Sequence, residues 1–225
     1  FSYFFKGGST YSNHLVMSDM INSEKIGEVF STFKRILIIT FSIELIGALL
    51  IYSSLKNSLI PTFSEKVFFS VFHSISAFCN AGFSTLSNSL FQSGYQYNYF
   101  LQLNIVFLFV LGGLGFPIVI NLIKYLKYFI SKNFTFIAFG RKANKPWMIN
   151  LNSRITLITT GALILSGSII YYILEFNNTL SNHGFFGKIV TSIFQATTPR
   201  TAGFNSVDMS LLNTPTIFII ILLMW

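Results

Sequence analysis

One cysteine, three histidines and seven acidic residues are all that the 225-residue sequence offers to most kinds of site chemistry. A lone Cys79 excludes an internal disulfide. No spacing of His, Cys, Asp or Glu matches a metal site, because His73 sits in an apolar stretch while His14 and His183 lie far apart in loops. Nothing resembles a Ser-His-Asp set, a phosphate loop or a dinucleotide fingerprint, so an enzyme and a bound cofactor are not expected. Charge is scarce as well: 10% of residues are Asp, Glu, Lys or Arg, against about 25% in a soluble domain. No signal-peptide pattern opens the chain. It starts at Phe1 without an initiator Met and stops at "IIILLMW", which leads us to expect a piece of a longer protein.

What is present is apolar. The hydrophobic set makes up 52% of the chain, with 27 phenylalanines, and it is gathered into membrane-length runs. The first, Arg35–Leu55, would be about 31 Å long as a helix, matching the hydrocarbon core. The second, Tyr99–Leu126, is long enough to span with tilt or a kink, and Gly112, Gly113, Gly115 and Pro117 mark where it would bend. The third is Ser153–Glu175 and a fourth runs from Thr214 to Trp225. With these spans drawn, Lys and Arg at 6, 25, 34, 35, 124, 127, 132, 141, 142, 145 and 154 flank one side, and only those at 56, 66, 188 and 200 flank the other. The positive-inside rule makes the first side cytoplasmic. The net charge of +8 therefore reads as topology signal and lipid contact, with no nucleic-acid surface expected. The basic loop from Lys124 to Arg154, with Trp147, could also dock a cytosolic partner, and Tyr95, Tyr97 and Tyr99 read as an outer aromatic belt.

Two apolar pieces are too short to cross. They are Lys66–Phe78 and Gly187–Thr197, and each runs into a loop closing on Ala-Gly-Phe. An offset of 121 residues, from 80 to 201, lays Asn80-Ala81-Gly82-Phe83-Ser84 on Thr201-Ala202-Gly203-Phe204-Asn205, and an offset of 120 lays Gly47 on Gly167. The chain thus reads as span, short helix, glycine loop, span, written twice. Non-helical backbone at membrane depth persists only where protein buries it or it lines water. One use for it is to dehydrate a cation with backbone carbonyls, which glycine can aim at a common axis. Neither loop carries a carboxylate between Asn80 and Ser84 or between Thr201 and Ser206, and carbonyl coordination needs none. The alternative is a secondary transporter that binds its substrate at broken helices, but its repeats are commonly inverted, whereas both copies here begin on the cytoplasmic side.

"SAFCNAGFS" and "TTPRTAGFNSVD", with "IELIGALL" and "LGGLGFPIVINL", resemble the second and third repeats of the Trk/Ktr/HKT superfamily of potassium uptake proteins. The resemblance implies an all-α membrane fold of four repeats around one pore, two of which lie in this chain. Residues 1–34 would be the cytoplasmic link from a missing first repeat, 35–126 the second repeat, 127–152 a cytoplasmic loop and 153–225 the third repeat. It implies filter glycines at Gly82 and Gly203, with Asn80, Ala81, Phe83, Thr201, Ala202 and Phe204 supplying neighbouring carbonyls to K⁺. It further implies a homodimer in the cell membrane, gated by a cytosolic nucleotide-binding subunit and passing K⁺ and sometimes Na⁺. Half of the filter ring would then lie outside these residues. Glu44, in mid-span, is expected to hydrogen-bond a neighbouring helix, with an ion site as the alternative reading. Arg200 is expected to point into the protein and pin the end of its short helix, since a cation on the axis would repel K⁺. Asp208 could concentrate cations outside the filter or be a plain loop acid.

Overall fold

The computed structural model describes residues 29–55, 60–125, 151–201 and 203–224. Residues 1–28, 56–59, 126–150, 202 and 225, among them most of the expected link and of the expected cytoplasmic loop, lie outside the described residues. Among the described residues every regular element is helical. In chain order these are α1 Val29–Ser54, α2 Phe63–Phe78, α3 Tyr99–Gly113, α4 Phe116–Tyr125, α5 Leu151–Glu175, α6 Phe185–Thr201 and α7 Thr214–Leu223. Short 3₁₀ turns sit at Ser89–Phe91 and Met209–Leu211. The chain divides into two units between Ile43 and Glu44, inside α1. The first contributes the start of that helix, where Leu37, Ile38 and Phe41 are exposed. The rest of this section concerns the second unit.

Two helices can cross a bilayer by length and composition, Thr32–Ser54 within α1 and the whole of α5. Their apolar side chains stay largely outside the protein core: Leu45, Leu49, Ile158, Leu165 and Ile173 are all exposed, as lipid-facing residues should be. α1 begins six residues before the expected span, at Val29, and α5 begins two residues early, at Leu151.

The expected second span is two helices, not one. α3 and α4 meet at 113° across Leu114 and Gly115. Gly115 has φ +80, a conformation that side chains resist, and Pro117 falls in the first turn of α4, where its missing N–H costs nothing. α3 alone, at 15 residues, is about 22 Å long, short of the roughly 30 Å core.

α2 and α6 are longer than their apolar runs suggest. α2 gains a turn at its start, and α6 continues through Pro199 to Thr201, a residue expected in the loop. Pro199 deprives only the Gln195 carbonyl of its helical donor, a loss confined to the final turn. At 16 and 17 residues both helices remain too short to span comfortably.

The core of this unit is α6 packed between α3 and α5, with α2 against α3 and α7 against α5 and α6. Phe109 and Phe194 meet edge to face at 6.0 Å where α3 crosses α6. Close approach is set by glycine. A Cβ at Gly112 would overlap the Phe78 carbonyl oxygen, and at Gly47 it would come within 2.5 Å of Ser74 Oγ and 2.6 Å of Leu108 Cδ2. At Gly167 it would meet Leu223 at 3.0 Å and Ala196 at 3.3 Å. Because the obstacle at Gly112 is backbone, Gly112→Ala should cost about 3 kcal/mol, the upper range for overpacking, and lower the thermal midpoint of the purified protein. Gly167→Ala, facing only side-chain ends, should cost clearly less.

At the far ends of the spans the same hydrogen bond recurs. Asn98 Nδ2 donates to the Ser54 carbonyl at 2.7 Å, tying the start of α3 to the end of α1. Asn213 Nδ2 donates to the Leu174 carbonyl at 3.0 Å, tying the start of α7 to the end of α5.

Beside these junctions His183 is buried against Tyr99, whose hydroxyl lies 3.0 Å from Nδ1, with the Tyr97 ring 5.1 Å away. Burial and then the nearby Lys188 charge push the His183 imidazole below its ordinary 6.5. The unfolded chain therefore binds this proton first as pH falls. Stability should decline below about pH 6.5, by at most about 1.4 kcal/mol per pH unit for one proton. Thermal melts from pH 7 to 5 should show this fall, and His183→Gln should flatten it.

Candidate cation-permeation site

The end of α2 is closed by a backbone motif that only certain residues allow. Asn80 N–H donates to the Ala77 carbonyl at 3.1 Å and Ala81 N–H to the Ser76 carbonyl at 2.9 Å, with Asn80 at φ 54. This is a Schellman cap with asparagine in the left-handed position. With its amide oriented to satisfy both neighbours, Asn80 also donates to the Phe109 carbonyl at 3.0 Å and accepts from Gly113 N–H at 3.1 Å. The loop is thereby clamped to the end of α3, beside the bend. Gly82 follows at φ 71. Ser76 Oγ donates to the Phe83 carbonyl at 2.7 Å, which turns that oxygen towards α2.

The second loop leaves α6 with Gly203 at φ +79, its N–H 3.4 Å from the Thr198 carbonyl. A Cβ built on Gly203 would meet nothing within 4 Å among the described residues, so the demand for glycine they show here is conformational rather than spatial. Gln195 Nε2 donates to Ser206 Oγ at 3.2 Å, and Asn205 N–H reaches Ser89 Oγ of the first loop region at 3.4 Å. The two phenylalanines differ: Phe204 is 0% exposed against α2, and Phe83 is 70% exposed.

These loops converge. Gly82, Phe83, Ser84 and Ser89 from one and Gly203, Asn205 and Asp208 from the other line a single open depression of about 580 Å³. Among the described residues Asp208 is its one charged lining residue. Hydrogen bonds from the Ser210 hydroxyl (2.6 Å) and amide (3.0 Å) hold its carboxyl below the usual carboxylate range, so the depression carries a negative charge at neutral pH.

Arg200 is elsewhere. It lines a small cavity of about 30 Å³ with Gly113, Leu114, Thr160, Ile164 and Thr197, between α3, α5 and α6, which shares no lining residue with the depression. Glu44 is half-buried; its nearest polar partner is the thiol of Cys79, with Sγ 3.9 Å from Oε1, while Ser74 Oγ donates to its backbone carbonyl at 2.6 Å.

Sequence reasoning passed over Glu175. This residue is fully buried at the end of α5 and accepts from Asn178 Nδ2 (2.8 Å), Thr179 Oγ1 (3.0 Å), Asn213 N–H (2.9 Å) and Thr216 Oγ1 (2.6 Å). The polar run Asn177-Asn178-Thr179 directly after an apolar span was the available local signal.

Comparison with known proteins adds a family. The family model described as "TrkH: Cation transport protein" matches residues 2–225. Ktr system potassium uptake protein B of Bacillus subtilis is 35% identical over 217 residues, covering 94% of this chain and 43% of that protein. Potassium/sodium uptake protein NtpJ of Enterococcus hirae is 31% identical over 202 residues, covering 88% and 40%. Ktr system potassium uptake protein B of Vibrio alginolyticus is 32% identical over 160 residues, covering 70% and 31%. The chain therefore spans less than half the length of the curated relatives it matches.

Proposed function

The chain belongs to the TrkH family of cation transport proteins, and from that premise we propose that it forms part of a potassium uptake pathway whose filter is built from backbone carbonyls. Gly82 and Gly203 would be the filter glycines of two of its repeats. The observation that carries this reading is their convergence: two glycines at positive φ, distant in sequence, line one depression whose only charge among the described residues is Asp208. The Asn98–Ser54 and Asn213–Leu174 bonds, recurring at matching helix junctions, support a repeated unit. α2 and α6 serve as the pore helices, each too short to span and each ending at its loop. A helix C-terminus directed at a cation contributes about 0.3–1 kcal/mol in exposed settings.

Asn80, Ala81 and Gly82 on one side, and Thr201, Ala202 and Gly203 on the other, are the proposed contributors, Ala202 by its place in the repeat alone because it lies outside the described residues. Phe83, whose carbonyl is engaged by Ser76, and Phe204, whose side chain anchors the second loop, act as loop supports. Asp208 raises the local cation concentration at the mouth. Arg200, which lines a separate cavity, is read as a structural rather than a conducting residue.

The name of the Enterococcus hirae relative favours a second reading within the same mechanism, a path that admits Na⁺ as well as K⁺. Assembly as a homodimer in the membrane, with gating by a cytosolic nucleotide-binding subunit, completes the proposal; the Ktr system relatives are named as uptake systems. Expression of the intact protein in a cell lacking its own K⁺ uptake tests it. Growth at low external K⁺ should be restored, and failure despite membrane insertion and co-expression of the cognate cytosolic subunit would count against it.

A further inference from the structure

His73 is completely buried in α2, with both ring nitrogens hydrogen-bonded and aromatic rings beside it. Nδ1 lies 2.9 Å from the Phe69 carbonyl oxygen, one turn back, and a carbonyl can only accept, so Nδ1 carries the hydrogen. Nε2 of the neutral ring is then an acceptor, and Ser84 Oγ, 2.9 Å away, donates to it. Ser84 Oγ in turn accepts from Leu86 N–H at 3.1 Å, which fixes the chain just beyond the first glycine loop. One face of the imidazole stacks on Phe69, with centroids 3.8 Å apart and 25° between planes. The Phe204 ring lies 6.2 Å away at 27°, and Phe204 directly follows Gly203. A single side chain thus grips one glycine loop by its edge and the other by its face.

We propose that His73 is a positioning residue that sets the register between the Gly82 and Gly203 loops and thereby the cation discrimination of the path they line. The inference rests on the filter reading above. A carbonyl site discriminates by the number and placement of its oxygens, so the relative position of two contributing loops matters as much as the shape of either. The direct hydrogen bond between the loop regions, Asn205 N–H to Ser89 Oγ, is long at 3.4 Å, and the His73–Phe204 ring approach is a second link between them. His73 joins the two loops through its bond to Ser84 and its ring contact with Phe204, and it acts only through those two residues.

The test is the K⁺ to Na⁺ transport ratio of the intact protein, measured for His73→Phe, Ser84→Ala, the double variant and His73→Gln, with Gly203→Ala as reference. His73→Phe keeps an aromatic stack but removes the acceptor, and Ser84→Ala removes the donor. Each should lower the ratio about five- to tenfold, the effect of one hydrogen bond, and the double variant should be no worse than either single. His73→Gln, whose Oε1 can accept from Ser84, should recover most of the loss. A wild-type ratio in both single variants while Gly203→Ala destroys selectivity would overturn the role of His73 and leave the filter standing. Additive losses in the double variant would also overturn it. If Gly203→Ala too left the ratio unchanged, the filter reading itself would fail. Should His73→Phe not reach the membrane, Ser84→Ala decides alone, because Ser84 lies in a loop and is only half-buried.

Discussion

Gly203→Ala in the intact protein is expected to reduce K⁺ uptake, or its preference over Na⁺, by roughly tenfold or more. Two causes that glycine substitutions usually mix, crowding and backbone conformation, come apart at this position. A Cβ at this position meets nothing within 4 Å among the described residues, so they offer no crowding to explain a loss. What alanine cannot do cheaply is hold φ +79, a conformation that costs an L-residue about 1–2 kcal/mol. The loop would relax to a negative φ and swing the carbonyls on either side of the residue. Transport should suffer while folding and membrane insertion survive. Wild-type selectivity in a well-inserted Gly203→Ala protein would remove this loop from the pathway. Gly112→Ala should behave in the opposite sense, losing stability because its Cβ meets backbone.

Glu175→Ala should lose about 3 kcal/mol of stability, as much as Gly112→Ala, since hydrogen bonds to a charged group are each worth roughly 1.5–3 kcal/mol and partly replaceable by water. The carboxylate joins the end of α5 to the start of α7 through Asn213 and Thr216, and organises the turn through Asn178 and Thr179. Removing it strands a buried threonine hydroxyl and a backbone N–H. The apparent Tm of the purified protein should fall by roughly 5–10 °C, whereas Glu175→Gln, which keeps one acceptor oxygen, should fall by less. Ion preference should be unchanged in whatever folded protein remains. An unaltered Tm for Glu175→Ala would show that water replaces these bonds without loss.

The contrast between Gly203 and Glu175 also shows what a sequence of this kind discloses. Apolar run lengths located both crossing helices to within a few residues, because hydrocarbon thickness fixes how many residues a span needs. The two Ala-Gly-Phe loops were legible because a positive φ demands glycine and the demand is written twice. "GGLGFP" announced a break after α3, but its 113° angle depends on the dihedrals of Gly115, which no residue pattern encodes. The end of α6 was misjudged by one turn for a related reason. A proline usually stops a helix, yet in the last turn it forfeits a single bond, so Pro199 lies inside. Long-range polar pairings such as Glu175 with Thr216 or His73 with Phe204 leave no local periodicity, and only the folded chain brings them together.

The most direct test of the central claim is an experimental structure of the intact protein grown in Tl⁺ or Rb⁺, with the ion located by its anomalous signal. The account predicts a peak in the depression, within coordination distance of backbone carbonyls from both the 80–82 and the 201–203 segments. A peak bound only by the Asp208 carboxylate, or none between the two loops while the ion occupies another path through the protein, would contradict it.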